Sequence, residues 1–199
     1  SKMQYSQVKE YMLNKLEKEL NHELYYHGVH HTIDVIASCK RLSESEGINA
    51  NDLLLLQTAA VFHDSGFLET YKGHEEVSCR YAGEMLPGYG YRASDIEKIC
   101  EMIMATQIPQ SPKSFLSKIL CDSDLDYLGR SDFDPISNGL YKELIAYNMV
   151  QDVKQWNRIQ VSFLGNHNYF TKTAKDTREI KKQQKLDELK LIVASYDDN

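Results

Sequence analysis

The sequence predicts an all-α chain, folded as a single compact bundle with a longer C-terminal helix. Three observations lead there. No block of residues alternates apolar and polar with the period of two that a half-buried strand needs. The 199 residues include only four prolines, so long stretches are free of the strongest helix breaker. The glycines and prolines that do occur punctuate segments whose apolar residues recur at helical spacing. At this length, with 42% hydrophobic and 26% charged residues, the chain can bury a proper core and does not have a disordered composition.

Helices are expected over 4–20, 30–46, 51–64, 74–86, 93–106, 113–128, 136–148, 151–164 and 171–196. Before the first, Ser1-Lys2-Met3-Gln4-Tyr5 lacks an apolar signal region, so no export signal is expected. In the second, His31 shares a face with Val35, Cys39 and Leu42 through steps of three and four, whereas His30 aligns with Asp34. His31 is therefore expected to point inward and His30 outward. The third is the apolar run Leu53–Phe62, capped by Asn51 or Asp52, followed by His63-Asp64 and then Gly66. Pro87-Gly88 stops the fourth. Ser94-Asp95-Ile96-Glu97 starts the fifth with acids in its first turn. Gly88–Tyr91 and Ile108–Pro112 read as loops. The sixth places Asp124 four residues from both Leu120 and Leu128, on the apolar stripe. Asp122 aligns with Lys118 and Asp126, and so reads as solvated or as a support to a neighbouring ligand. The last three helices form an extension over about 131–199, where Phe163, His167, Tyr169 and Phe170 are expected to pack. From Thr171 to Ile192 seven basic residues face four acidic ones, which reads as a solvated helix face.

Composition narrows the function classes. A net charge of −6 argues against nucleic-acid binding, which needs clustered Lys and Arg. No run of eighteen apolar residues exists, so no membrane span is expected. Cys39, Cys79, Cys100 and Cys121 form no C-x-x-C pair, and reduced thiols in a cytoplasmic protein are expected. There is no glycine-rich phosphate loop and no Ser-His-Asp triad.

The chemistry concentrates in one constellation. His27, His30, His31, His63 and His74, five of the seven histidines, fall in a short stretch. A buried helix that ends on an imidazole beside a carboxylate carries a large desolvation cost unless the pair is bonded or holds a metal. A buried Asp124 with no aligned Arg or Lys needs a partner too, and a divalent cation is a good one. Two imidazoles and two carboxylates form a mixed nitrogen and oxygen set suited to Zn, Mn, Fe, Co or Ni.

These residues resemble the H…HD…D signature of the HD-domain superfamily of metal-dependent phosphohydrolases. Tyr26-His27-Gly28-Val29-His30-His31-Thr32 is similar to that family's YHxxxHT opening. Ala59-Ala60-Val61-Phe62-His63-Asp64-Ser65-Gly66 is similar to its AALLHDIG block, and Asp122-Ser123-Asp124-Leu125 to its DAD-L block. The resemblance covers about 22–130. It implies an HD-domain helical fold within one domain, 1–199, and a divalent metal ion (Mn, Fe, Zn, Co, Ni or Mg) held by His31, His63, Asp64 and Asp124. The helical stripe favours Asp124 over Asp122 as ligand. Dinuclear members add two histidines between the HD pair and the last Asp. Here only His74 is available, and Met104-Ala105-Thr106-Gln107 stands where the second is expected, so one metal per chain is expected.

The implied activity is hydrolysis of a small phosphorylated substrate, a nucleotide or related phosphate ester, by metal-activated water. Asp64 and His74 are the expected catalytic residues. His27, Lys72, Arg130 and Tyr127 are candidates for substrate binding, with Arg80 a further cation. Alternatives are a regulatory or ligand-binding module with little turnover, or a diiron oxygenase, which would need the extra histidines. Association as a homo-oligomer is left open.

Overall fold

The computed structural model describes residues 2–197, which are helical with no strand among them. Two compact units are distinguished. One joins Ser1–His22 to His27–Asp124, and the other joins Glu23–Tyr26 to Leu125–Asn199.

The first unit contains α1 (Tyr5–Glu19), α2 (Val29–Glu46), α3 (Ala50–Phe62), α4 (His74–Met85), α5 (Ala93–Ala105) and α6 (Phe115–Asp124), with single 3₁₀ turns at Ser65–Leu68 and Leu86–Tyr89. Helix α3 is its axis, packed against α1, α2, α5 and α6. Its run of leucine, alanine, valine and phenylalanine leaves no polar face in its second half, and every residue from Thr58 to Phe62 is buried. A helix apolar all round belongs in a core. The cap of α3 is Asn49, whose side chain accepts from the Asp52 N–H at 2.8 Å, in place of Asn51 or Asp52. Asp52 instead lies in the first turn, where its charge complements the helix dipole. On α2, His31, Val35, Cys39 and Leu42 are buried and His30 is exposed, as the spacing requires. Helix α5 starts where the Asp95 carboxylate accepts from the Arg92 backbone N–H at 3.0 Å.

Two helices end earlier than their periodicity suggests. Helix α3 stops at Phe62 because the Ser65 hydroxyl donates to the Phe62 carbonyl at 2.7 Å, satisfying a group that one more helical turn would have used. His63 and Asp64 therefore lie on a turn. Helix α6 ends at Asp124 rather than 128. The Tyr169 hydroxyl donates to the Leu125 carbonyl at 2.8 Å, and the chain continues as a 3₁₀ turn over Asp126–Gly129. The step from Leu120 to Asp124 is helical, whereas that from Asp124 to Leu128 is not.

The second unit carries this turn, α7 (Phe133–Ala146), α8 (Val153–Asn166) and α9 (Lys172–Tyr196). Asp152 caps α8 through the Gln155 N–H, and Thr171 caps α9 through the Ala174 N–H. Helix α9 packs on α8 and on the 3₁₀ turn. At Gly129 a Cβ would sit 2.1 Å from the Arg178 carbonyl oxygen, so only glycine permits that approach. Most lysines of α9 are exposed, as expected of a solvated face, but Lys182 is fully buried. Its ammonium donates to the His167 carbonyl at 2.8 Å, meets His167 Nδ1 at 3.1 Å, and pairs with Glu179 at 3.0 Å. The Tyr169 ring stands edge-on to His167. No helix among the described residues is long and apolar enough to cross a membrane.

Candidate metal centre

The first unit brings four side chains from three sequence-distant segments to one point. His31 comes from the first turn of α2, His63 and Asp64 from the turn after α3, and Asp124 from the last residue of α6. One ligand atom from each lies within 4.8 Å of all the others. His31 Nε2 is 2.9 Å from Asp124 Oδ1 and 3.5 Å from Asp64 Oδ2. His63 Nε2 is 3.3 Å from Asp124 Oδ1 and 3.2 Å from Asp64 Oδ2. Ligands about 2.1 Å from a divalent ion stand about 3.0–3.4 Å apart at adjacent corners of a tetrahedron or octahedron. The donor set and its spacing therefore fit such an ion. His63 is wholly buried and the Asp124 side chain is 14% exposed, so Asp124 marks the side open to solvent.

Hydrogen bonds orient the ligands. A carbonyl can only accept, so His63 Nδ1–H donates to the Ala60 carbonyl, at 2.6 Å, and Nε2 is the nitrogen that faces the carboxylates. Asp64 is shared. Its Oδ2 faces the two histidines, while its Oδ1 meets His74 Nε2 at 2.9 Å. Burial works against charge on His63, yet Asp64 and Asp124 hold its pKa well above the ordinary imidazole value. The same burial would raise both aspartates, and the imidazoles outweigh it. Asp64 lies well below the usual carboxylate range, with His63 the strongest lowering partner, and Asp124 is lowered to about 2, chiefly by His31 and His63. His74 is likewise raised by its bond to Asp64, despite burial.

A second layer, not foreseen from sequence, positions this turn. Ser78, fully buried on α4, accepts from the Gly66 N–H at 2.8 Å and donates to the His63 carbonyl at 3.0 Å. It lies one turn after His74 on the same helix face. Gly66 packs so tightly under α4 that a Cβ there would lie 1.9 Å from the His74 carbonyl oxygen. Phe67 packs against the rings of both His27 (4.1 Å between centroids) and His74 (4.0 Å), which lie 6.2 Å from each other. The only sequence signal for this layer was the small residues of the Ser65-Gly66 pair.

Other candidates have separate settings. Asp122 is completely buried, which removes the solvated one of its two readings. Thr106, where a further histidine was sought, is buried with its hydroxyl donating to the Ile103 carbonyl. Lys72 is exposed on the loop before His74. Arg80 is exposed and pairs with Glu69. In the second unit, Arg130 donates to Asp132 at 2.9 Å and to Asp126 at 3.3 Å, and the buried Tyr127 stacks on Phe133.

No protein-family model and no curated protein matches the chain. A solved structure from an uncultured Thermotogales bacterium, described as a predicted HD superfamily hydrolase, is similar over 94% of this chain and 92% of its own, with 21% identity and a TM-score of 0.61. The present chain thus shares its all-α fold with that structure.

Proposed function

We propose that the protein is a metal-dependent phosphohydrolase acting on a phosphate ester, a nucleotide or a related small phosphorylated metabolite. The observation that carries this reading is the convergence of His31 Nε2, His63 Nε2 and oxygens of Asp64 and Asp124 within 4.8 Å. Those four residues would hold one divalent ion. Bound there, the ion supplies a Lewis acid that lowers the pKa of water and offsets charge developing on a phosphoryl group. The fold and name of the Thermotogales structure support a hydrolase.

The chain's own residues supply the remaining parts. Asp64, held in place by His74 at 2.9 Å, orients the attacking water in line with phosphorus. His74 and His27, both packed against Phe67 with their rings 6.2 Å apart, are the candidates to pass a proton to the departing oxygen and to bind substrate. Lys72, on the loop leading to His74, offers charge to the phosphate. Arg130 and Tyr127, the other substrate-binding candidates of the sequence, belong to the second unit, where two aspartates orient the Arg130 guanidinium.

The test begins with protein purified without chelators. Elemental analysis is expected to find about one divalent ion per chain. Phosphate or nucleotide release is then followed over a panel of phosphomonoesters and phosphodiesters, with Mn, Ni, Co, Zn and Mg added separately. His31→Ala and Asp124→Ala are each expected to lose both the ion and the activity. Retention of both by either variant would overturn the reading. Metal binding without turnover on any ester would favour a regulatory module, and two irons per chain would favour an oxygenase.

A further inference from the structure

We infer that Cys79 and Cys100 form a redox modification site, a dithiol that closes to a disulfide between α4 and α5. The two helices pack side by side in the first unit, and the cysteines face each other across that contact. Cys79 Sγ lies 3.6 Å from the Cys100 carbonyl oxygen, and Cys100 Sγ lies 3.7 Å from the Cys79 carbonyl oxygen. Such reciprocal contacts put each sulfur against the other residue's backbone, the approach that two residues need before their sulfurs can bond. Both side chains are half-buried, so a small oxidant can reach them. Cys39 and Cys121 are wholly buried. Cys121 instead donates to the Ala105 carbonyl at 3.3 Å.

Each thiol donates to the other residue's backbone carbonyl, so the two sulfurs have equivalent contacts. Either can make the first attack. Where Cys100 does so with hydrogen peroxide as oxidant, its thiolate attacks one peroxide oxygen and the O–O bond breaks. The hydroxide released takes up a proton to become water, and Cys100 becomes a sulfenic acid. Cys79 sulfur then attacks Cys100 sulfur, the S–O bond breaks, and the hydroxyl leaves as water with the Cys79 proton. Two thiols have lost two protons and two electrons, and one peroxide has become two waters. The link would tether α4, which carries His74 and Ser78, and the proposal stands independently of the hydrolase reading.

The test uses the reduced full-length chain, exposed to a small excess of hydrogen peroxide. Free thiols are then alkylated under denaturing conditions, and the digest is read by mass spectrometry. The expected product is a peptide pair joined through Cys79 and Cys100 that a dithiol reductant separates, with Cys39 and Cys121 alkylated. Cys79→Ser and Cys100→Ser should each abolish that pair, and Cys79→Ser should accumulate sulfenic acid at Cys100. The proposal is overturned if the wild-type chain yields no 79–100 cross-link, or yields Cys39 and Cys121 cross-links in equal amount. Mapping the wild-type chain needs no variant to fold.

Discussion

At His63 the bond from Nδ1–H to the Ala60 carbonyl decides which nitrogen meets Asp64 and Asp124, and those carboxylates raise its pKa well above 6.5. In metal-free protein that raised value contributes stability fully present below the unfolded value of about 6.5 and lost as pH rises through the folded one. The same proton competes with a cation for Nε2. Affinity for a divalent ion is therefore expected to fall as the pH is lowered, with protons released on binding. Calorimetry in buffers of different ionisation enthalpy measures that release. His167 behaves oppositely. Burial, and then the Lys182 ammonium, lower its pKa to about 4, and its Nε2 is buried without a hydrogen-bond partner. A lowered value means that the unfolded chain binds the proton first. Between pH 6.5 and 4 the wild type should therefore lose up to about 1.4 kcal/mol per pH unit through this residue. His167→Gln should flatten that part of the urea-midpoint profile, and an unchanged slope would refute the assignment.

The end of α3 shows how an element delivers a functional group. Ser65 terminates the helix at Phe62, Ser78 from α4 ties the His63 carbonyl to the Gly66 N–H, and Gly66 lets α4 approach. Gly66→Ala must displace the His74 backbone, since the added Cβ would meet its carbonyl oxygen at 1.9 Å. Overpacking of this kind costs about 1–3 kcal/mol. Because the displaced segment carries His74, the variant is expected to lose more metal affinity and activity than an equally destabilised variant elsewhere. Asn49→Ala provides that comparison. It removes the cap of α3 at the opposite end from the histidines and should cost about 1 kcal/mol, read as a lowered urea midpoint with metal stoichiometry unchanged.

For the whole molecule, the centre draws on α2, the turn after α3, and α6, so an ion bound there links parts of the chain about 90 residues apart in sequence, from His31 to Asp124. A ligand that binds only the folded state stabilises it by about 2.7 kcal/mol at a hundred times its Kd. Thermal unfolding is therefore expected to rise with added Mn, Co or Zn and to fall with a chelator. The Asp124→Ala variant should respond to neither.

The all-helical class, the sites of most helix boundaries, and the inward His31 against the outward His30 were legible in the sequence, because each follows from spacing along one helix or from a local cap or breaker. The resemblance of the ordered H…HD…D residues named four side chains that the structure gathers within 4.8 Å. Where α6 stops and the Ser78–Gly66 bracing depended on hydroxyls supplied from elsewhere in the chain, and where α3 stops depended on the Ser65 hydroxyl, which apolar periodicity does not read. The buried Lys182 likewise found its main partner fifteen residues away, at His167. One-dimensional periodicity reports which face of a helix is apolar. It carries no distance between helices, and the spacing of the four ligand atoms is set by how α2, α3 and α6 pack.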